Sequence, residues 1–238
     1  MTTARASVFS WGRERARTGP WRGDERVAYL APLPESPPPS VGFLRRCLDT
    51  LAARGFLSVV TTALSVPEQR SFLAVGFVEH ERLRLLAHDL RQLPAARRVP
   101  LRRARGSDRA AVLALDAISF PSFWRMDEAG LEEALTATPT SRFRVSPGTD
   151  AGVAGYAITG RAGTTGYLQR LAVHPARRRE GIAQALVLDG MRWLRRRGVT
   201  RAVVNTQLGN EPALALYLRM GFTLQPSSLA VLRMPLDG

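Results

Sequence analysis

The chain has 238 residues, with 34 basic and 20 acidic side chains and a formal net charge of +14 at pH 7. Its 45% hydrophobic content is ordinary for a globular protein with one large domain or two small ones. No apolar run approaches the roughly 20 residues that span a bilayer, and the N-terminus lacks an apolar signal core, so we expect no membrane segment and a cytoplasmic location. The single cysteine, Cys47, excludes an internal disulfide, and no Cys/His cluster has metal-ligand spacing, so no metal is expected.

All the basic residues are arginines, a bias typical of GC-rich codon usage. The resulting positive field attracts polyanions, among them phosphate-bearing ligands, nucleic acid and acidic proteins. Composition alone therefore leaves several anionic partners open.

Residues 1–26 are rich in arginine and are interrupted by Gly19, Pro20 and Gly23, which predicts a partly disordered arm. A strand is predicted over residues 27–33, ended by a stiff loop that contains Pro34. Helical and strand patterns then alternate, at 41–54 (helix), 56–64 (strand), 67–75 (helix) and 82–90 (strand).

This order recurs later in the chain. Gly55 corresponds to Gly198, and Gly76 with Phe77 corresponds to Gly221 with Phe222, at separations that differ by two residues. The first copy lacks a basic glycine-containing turn before its helix, and it has Phe72 where the second has Tyr217. We therefore predict a degenerate half-domain with a structural role at 27–95 and a complete domain at 96–238.

The second domain begins with a linker at about 94–100 and a short strand at 101–104. Ser107 is predicted to cap a helix that has Asp108 in its first turn, and a second helix follows at 127–136. Three strands, joined by glycine-rich turns, are predicted to form an antiparallel meander; they cover residues 142–146, 152–161 and 166–173.

A basic turn separates the last of these strands from an amphipathic helix. The turn is Arg177-Arg178-Arg179-Glu180-Gly181, and the helix covers residues 182–197 and is closed by Gly198. Gly181 and Ala183 are small enough for a ligand to approach the backbone, and the free N–H groups of the first turn point back at the loop. A phosphate would fit there, attracted by the helix dipole and the arginines.

The remaining pattern is strand, helix, strand. A β-rich run covers 201–206, Asn210 caps a helix with Pro212 in its first turn, and the last strand is predicted at 229–234. Tyr217 lies four residues after Ala213, on the same helix face.

The sequence Arg178-x-x-Gly181-x-Ala183, placed after a strand and Val-His-Pro, resembles the acetyl-CoA pyrophosphate loop of the GNAT superfamily of N-acyltransferases. The resemblance covers residues 100–236 in full and 40–90 in part. It implies an α/β (α+β) fold: a GNAT fold whose mixed, mostly antiparallel central sheet is flanked by helices, with an incomplete N-terminal GNAT-like repeat. It also implies an enzyme that moves an acetyl group from acetyl-CoA, its cosubstrate, to a primary amine of a small molecule or protein.

The resemblance assigns roles by position. In the family the strand before the loop splays from its neighbour, and its backbone binds the pantetheine arm and the thioester oxygen. Tyr217 matches the phenol that protonates the leaving thiolate in many members, although such a tyrosine is also a common core residue. His174, a water-mediated base or a carboxylate are alternatives for the general base. The implied cosubstrate-binding residues are Leu171, Ala172, Val173, Arg178, Arg179, Glu180, Gly181, Ile182, Ala183, Asn205, Asn210 and Ala213.

The acceptor side is less defined. Phe120, Phe123 and Trp124 indicate a pocket wall or core, and Phe123, Trp124 and Asp127 are the predicted substrate-binding residues. Most of the carboxylates nearby, Asp127, Glu128, Glu132 and Glu133, are expected to face solvent.

Two other classes of function stay open. A non-catalytic acyl-CoA sensor or interaction protein would keep the phosphate loop without turnover. A nucleic-acid-binding protein would use the net charge, but the arginines form no recognisable binding module. The acceptor, the acyl chain preference and the oligomeric state, including a homodimer, are not fixed by the sequence.

Overall fold

The computed structural model of the chain describes residues 7–33, 35–148 and 152–236. The first six residues of the predicted arm, and Pro34 of the predicted stiff loop, lie outside these ranges. The chain divides into two compact units: unit 1 comprises Met1–Arg84 and Pro226–Gly238, and unit 2 comprises Leu85–Gln225. The division falls within two strands, β6 (Val78–His88) and β12 (Thr223–Pro235). The last strand is therefore shared, whereas the sequence assigned it wholly to the second domain.

Unit 1 begins with three strands. They are β1 (Ser7–Trp11), β2 (Glu14–Trp21) and β3 (Asp24–Pro32), paired antiparallel in chain order. The first two lie where a disordered arm was expected, and the third contains most of the strand predicted over residues 27–33. Arg22 and Gly23 both have positive φ, 51° and 80°, as a two-residue hairpin turn requires. Gly23, which was interpreted as interrupting a partly disordered arm, therefore makes a β-turn, and the prediction of disorder is wrong for residues 7–26.

The rest of unit 1 follows the predicted order. It contains α1 (Val41–Ala53), β4 (Ser58–Thr61), β5 (Leu64–Ser65) and α2 (Val66–Ala74). The strand order is β1-β2-β3-β4-β12, with β3 and β4 parallel and β4 and β12 antiparallel. Side chains from α1, α2 and these strands form one buried cluster that includes Phe43, Leu51, Phe72 and Leu232.

Unit 2 contains the longer meander. Its elements are β7 (Arg102–Arg103), α3 (Arg109–Ser119), α4 (Glu128–Thr136), β8 (Thr140–Pro147), β9 (Val153–Ala162), β10 (Thr165–Val173), α5 (Ile182–Arg195), β11 (Arg201–Gln207) and α6 (Glu211–Arg219). The strand order is β11-β10-β9-β8-β7, antiparallel except for the parallel pair β10 and β11. The predicted antiparallel meander is confirmed.

Helices cover both faces of the unit 2 sheet. Tyr156 and Ile158 of β9 belong to the cluster with residues of α3 and α4, whereas Ala157 belongs to a cluster with Ile182 and Leu186 of α5. Because neighbouring residues of a strand point to opposite faces, α5 lies on the face opposite α3 and α4.

The start of α3 differs from the prediction. Ser107 does not cap the helix; it lies inside a 3₁₀ turn, Gly106–Asp108. Asp108 accepts two hydrogen bonds of 2.7 Å from the guanidinium of Arg102 and one of 2.7 Å from the N–H of Arg105. The hydrogen bonds from Arg102, and to a smaller extent the one from Arg105, lower the pKa of Asp108 to about 2. The ion pair fixes β7 to the turn, which a capping rule based on local sequence could not anticipate.

The two units repeat the same local geometry. The helices α1 and α5 are each followed by a glycine of positive φ, Gly55 at 86° and Gly198 at 71°. The rings of Phe72 and Phe77 meet edge to face at 5.2 Å, and those of Tyr217 and Phe222 do so at 5.8 Å. These shared features agree with the predicted N-terminal repeat.

His88 in unit 2 makes stability sensitive to acid. Its Nδ1 accepts a hydrogen bond of 2.8 Å from the N–H of Leu90, and its ring packs against Phe222. Burial lowers the pKa of His88 below 6.5, outweighing the opposing effect of Asp89. Since the unfolded state then binds the proton first, the contribution of His88 to the free energy of unfolding is complete above pH 6.5 and is lost as the pH falls.

We expect the free energy of unfolding of His88→Phe to fall less than that of wild type between about pH 7 and pH 5. Identical pH slopes in urea titrations would contradict this.

Candidate active site

The gap between β10 and β11 is the central feature of unit 2. The two strands pair in parallel only from Thr165 to Tyr167, opposite Arg201 to Val203. Over the described residues no pairing between them continues beyond Tyr167, although β10 runs on to Val173 and β11 to Gln207. The strands therefore separate toward their C-terminal ends, as expected for the splayed pair.

The backbone of Leu171 and Val173 faces this gap. The N–H of His174 donates to the carbonyl of Ala154 on β9, at 2.9 Å. Because backbone groups alternate in direction along a strand, those of Ala172 also point to β9, and those of Leu171 and Val173 point away from it. The backbone of Leu171 and Val173 is thus not paired with β9, whereas the backbone of Ala172 faces the sheet and its side chain is buried in the core with α3.

A β-bulge sets this orientation. Leu168 is paired with Thr159, but Arg170 is paired with Ile158, so that Gln169 is an extra residue in β10. One extra residue reverses the alternation of all residues that follow. No pattern in the sequence indicated this bulge.

The basic turn ends in a helix start without a capping side chain. Gly181, at φ 84°, is the N-cap of α5, and Arg179 before it has φ 70°. In the described part of the chain, α1, α4 and α6 each have a capping side chain that accepts a backbone hydrogen bond, whereas α5, like α3, has none. The N–H groups that precede Ala185 therefore point out of the helix, as an anion site requires.

The charges around this helix start are divided. The carboxylate of Glu180 accepts hydrogen bonds of 2.8 to 3.0 Å from the guanidinium of Arg177, which lowers the pKa of Glu180. Arg178 and Arg179 are exposed and have no ion-pair partner among the described residues. The structure thus pairs Glu180 with a neighbour and leaves the two arginines available for an anion.

The residues flanking the turn have structural roles. The Nδ1 of His174 accepts a hydrogen bond from the N–H of Ala176, at 3.2 Å, and closes the turn. Ile182 is buried beneath the first helical turn, and Ala183 is half-buried. The hydrogen bond from Ala176 explains the presence of His174 without a catalytic role.

The two predicted asparagines differ. Asn205, on β11 beyond the end of its pairing with β10, is exposed. Asn210 caps α6, because its Oδ1 accepts a hydrogen bond of 3.2 Å from the N–H of Ala213. The predicted cap is confirmed, and it occupies the side-chain oxygen of Asn210.

Tyr217 is buried in unit 2. Its side chain belongs to the cluster that contains Met220 and Phe222, and burial raises its pKa. Among the described residues no group is hydrogen-bonded to its hydroxyl. The phenol therefore stays protonated at neutral pH, as a proton donor must.

The aromatic loop between α3 and α4 is ordered by its surroundings. The rings of Phe123 and Trp124 meet edge to face at 5.1 Å, and both residues are half-buried. The guanidinium of Arg170 stacks on Phe120, 3.5 Å from its ring centre. Asp127 does not point freely to a substrate, because its Oδ1 accepts a hydrogen bond of 2.8 Å from the N–H of Gly130 and caps α4.

The nearby glutamates behave as surface groups. Glu128 and Glu132 are exposed and pair with the guanidinium of Arg109, at 2.5 and 2.7 Å. Glu133 is also exposed.

Sequence reasoning missed a buried polar network behind the loop. Asp116 is fully buried and accepts two hydrogen bonds of 2.8 Å from Arg170, one from the Tyr156 hydroxyl and one of 2.7 Å from the N–H of Met126. Arg170 also donates to the carbonyl oxygen of Trp124, at 2.6 Å. The sequence signal for this network was a charged residue within each of two mostly apolar elements, Asp116 in α3 and Arg170 in β10. The network connects α3, β9 and β10 to the aromatic loop.

The described residues contain neither a candidate metal cluster nor a long apolar helix. No group of three or more His, Cys, Asp or Glu side chains lies close enough to hold a metal. No helix in the described ranges is long and apolar enough to cross a membrane.

Solved structures share this fold. A GCN5-related N-acetyltransferase from Sphaerobacter thermophilus superimposes with a TM-score of 0.61 and 17% identity, over 95% of this chain and 78% of that one. A tandem GNAT protein from the clavulanic acid biosynthesis pathway gives 0.67 and 12%, over 94% and 79%. At such identities the likeness defines the fold, which is the GNAT fold with an additional N-terminal GNAT-like repeat.

Sequence comparison identifies the family. Residues 110–222 match the model of the acetyltransferase (GNAT) family, and this part of the chain belongs to that family. Mycothiol acetyltransferase of Segniliparus rotundus is 40% identical over 63 residues, which are 26% of this chain and 24% of that protein. Aminoglycoside N(6')-acetyltransferase type 1 of Klebsiella aerogenes is 37% identical over 68 residues, 29% of this chain and 45% of that protein. The alignments thus cover less than half of either relative.

Proposed function

We propose that the chain is an acetyl-CoA-dependent N-acetyltransferase whose active site lies in unit 2. The observation that carries the proposal is the uncapped start of α5 beside the β10–β11 gap, within the segment that matches the GNAT family. Arg178, Arg179 and the free amides of α5 would bind the pyrophosphate of the cosubstrate. The backbone of Leu171 and Val173 would bind its pantetheine arm, and Asn205 and Ala213 would line the groove.

The reaction we propose is direct transfer. The neutral amine attacks the thioester carbonyl carbon, a C–N bond forms and the C–S bond breaks. Backbone dipoles in the gap stabilise the negative charge that develops on the carbonyl oxygen. Tyr217 gives its proton to the departing thiolate and regains one from the amine through solvent. No covalent enzyme intermediate and no metal enter this scheme.

The acceptor we propose is a primary amine of a small molecule. Both curated relatives carry a small molecule, mycothiol or an aminoglycoside, in their names. Phe123 and Trp124 are half-buried beside the network of Arg170, so they could form one wall of an acceptor pocket. Proteins and nucleic acids remain secondary candidates, attracted by the net charge of +14.

Replacing Tyr217 by Phe tests the catalytic assignment. We expect kcat to fall by about 10²–10⁴-fold, because the thiolate loses its acid, while the Kd for acetyl-CoA is unchanged. The measurement is thiol release with a panel of primary amines, together with calorimetric titration of acetyl-CoA. Tyr167→Phe, at a tyrosine that is 37% exposed, is the matched control and should retain full activity.

The same assay separates catalysis from sensing. Tight binding of acetyl-CoA without thiol release on any amine, with Tyr217→Phe indistinguishable from wild type, would favour the acyl-CoA sensor. Binding to DNA that weakens steeply with salt, with no acetyl-CoA binding, would favour the nucleic-acid alternative.

A further inference from the structure

The segment predicted only as a linker is held in place on both sides of Arg97. Before it, Leu93 and Ala96 pack against the buried cluster that contains Tyr217. After it, Val99 and Leu101 pack against the cluster that contains Ile182. Both clusters include residues of α5, so the segment is held against this helix.

Arg97 lies directly beside the start of α5. A β-carbon placed on Gly181 would be 3.5 Å from the Cβ of Arg97 and 3.9 Å from its Cδ. The charge of Arg97 also contributes, after Arg177, to lowering the pKa of Glu180. Arg97 is exposed, and no described residue forms an ion pair with it. Its guanidinium is therefore free and close to the loop.

We propose that Arg97 is a further ligand for the phosphates of the cosubstrate, supplied from outside the sequence motif. The proposal rests on the function proposed above. Glu180 already neutralises Arg177, which leaves Arg178 and Arg179 as the cations of the loop itself. An arginine held beside Gly181 adds a third guanidinium suited to phosphate oxygens.

Calorimetric titration tests this assignment on the full chain. Arg97→Ala should weaken the binding of acetyl-CoA by about tenfold or more, the loss of one charged hydrogen-bonding group. Arg98→Ala is the matched control, because it removes the same charge from an exposed neighbour, and its Kd should stay within about twofold. Acetyl-pantetheine has the thioester arm without phosphates, so its binding should not distinguish Arg97→Ala from wild type.

Three results would overturn the assignment. Equal effects of Arg97→Ala and Arg98→Ala would reduce the role of Arg97 to general charge. An equal loss of acetyl-pantetheine binding would mean that the substitution disturbs the groove. Tighter binding of acetyl-CoA by Arg97→Ala would mean that the segment obstructs the loop. Failure of the wild type to bind acetyl-CoA would instead remove the proposed function, and the ligand role with it.

Discussion

The double variant Arg178→Ala, Gly181→Glu is expected to lose acetyl-CoA binding, by more than about 100-fold in Kd from a wild-type value of about micromolar. Gly181 has φ 84°, which a residue with a β-carbon adopts only with strain. The new carboxylate would also lie at the uncapped amides of α5 and repel phosphate. Loss of Arg178 removes one of the two unpaired cations of the loop.

The control must reproduce the strain without touching the site. Gly163, in the turn between β9 and β10, has φ 56° and no atom within 4 Å of an added β-carbon. Gly163→Glu should therefore bind acetyl-CoA as wild type does, measured by calorimetry on protein whose circular dichroism is native. Retained binding in the double variant would mean that the phosphates are held elsewhere.

Asp116→Ala is expected to reduce the free energy of unfolding by about 3–5 kcal/mol, the usual effect of leaving a buried charge without its partner. The side chain of Arg170 is only 9% exposed, and its guanidinium would lose both bonds to the carboxylate. The Tyr156 hydroxyl and the N–H of Met126 would lose their acceptor as well. Denaturation by urea, followed by circular dichroism, measures the loss.

A matched ion pair is available in the same unit. Asp189 accepts hydrogen bonds of 2.7 and 2.9 Å from Arg142, but both side chains are about one-fifth exposed. Asp189→Ala should therefore cost clearly less, about 1 kcal/mol. The double variant Asp116→Leu, Arg170→Met should recover part of the stability, because no unpaired charge remains. Equal losses for Asp116→Ala and Asp189→Ala would contradict the importance of burial.

The sequence predicted those parts of the fold that depend on local pattern. The helix ends at Gly55 and Gly198, the cap at Asn210 and the meander of β8 to β10 are all as expected, because periodicity and turn residues encode them. The first two strands, β1 and β2, were missed because Gly23 can make either a tight turn or a disordered segment. What decides between them is pairing between neighbouring strands, which the turn residues alone do not specify.

The candidate site divides in the same way. Gly181 and the arginines beside it belong to a contiguous motif and could be found in the sequence. The contact of Arg97 with the loop, and the pairing of Asp116 with Arg170, join residues 84 and 54 positions apart, so only the fold brings them together. Asp127 is a different case, because the hydrogen bond by which it caps α4 is local and comes from Gly130, three residues along the chain.

The bulge at Gln169 makes the ligand groove depend on strand length. Deleting this one residue would remove the irregularity and reverse either the part of β10 before it or the part after it. If the later part turned, the backbone of Leu171 and Val173 would pair with β9, and the backbone of Ala172 would face the gap in their place. The side chain of Ala172, now in the core with α3, would leave that core at the same time. The number of residues in β10 thus determines both which backbone groups can bind a ligand and which side chains fill the core.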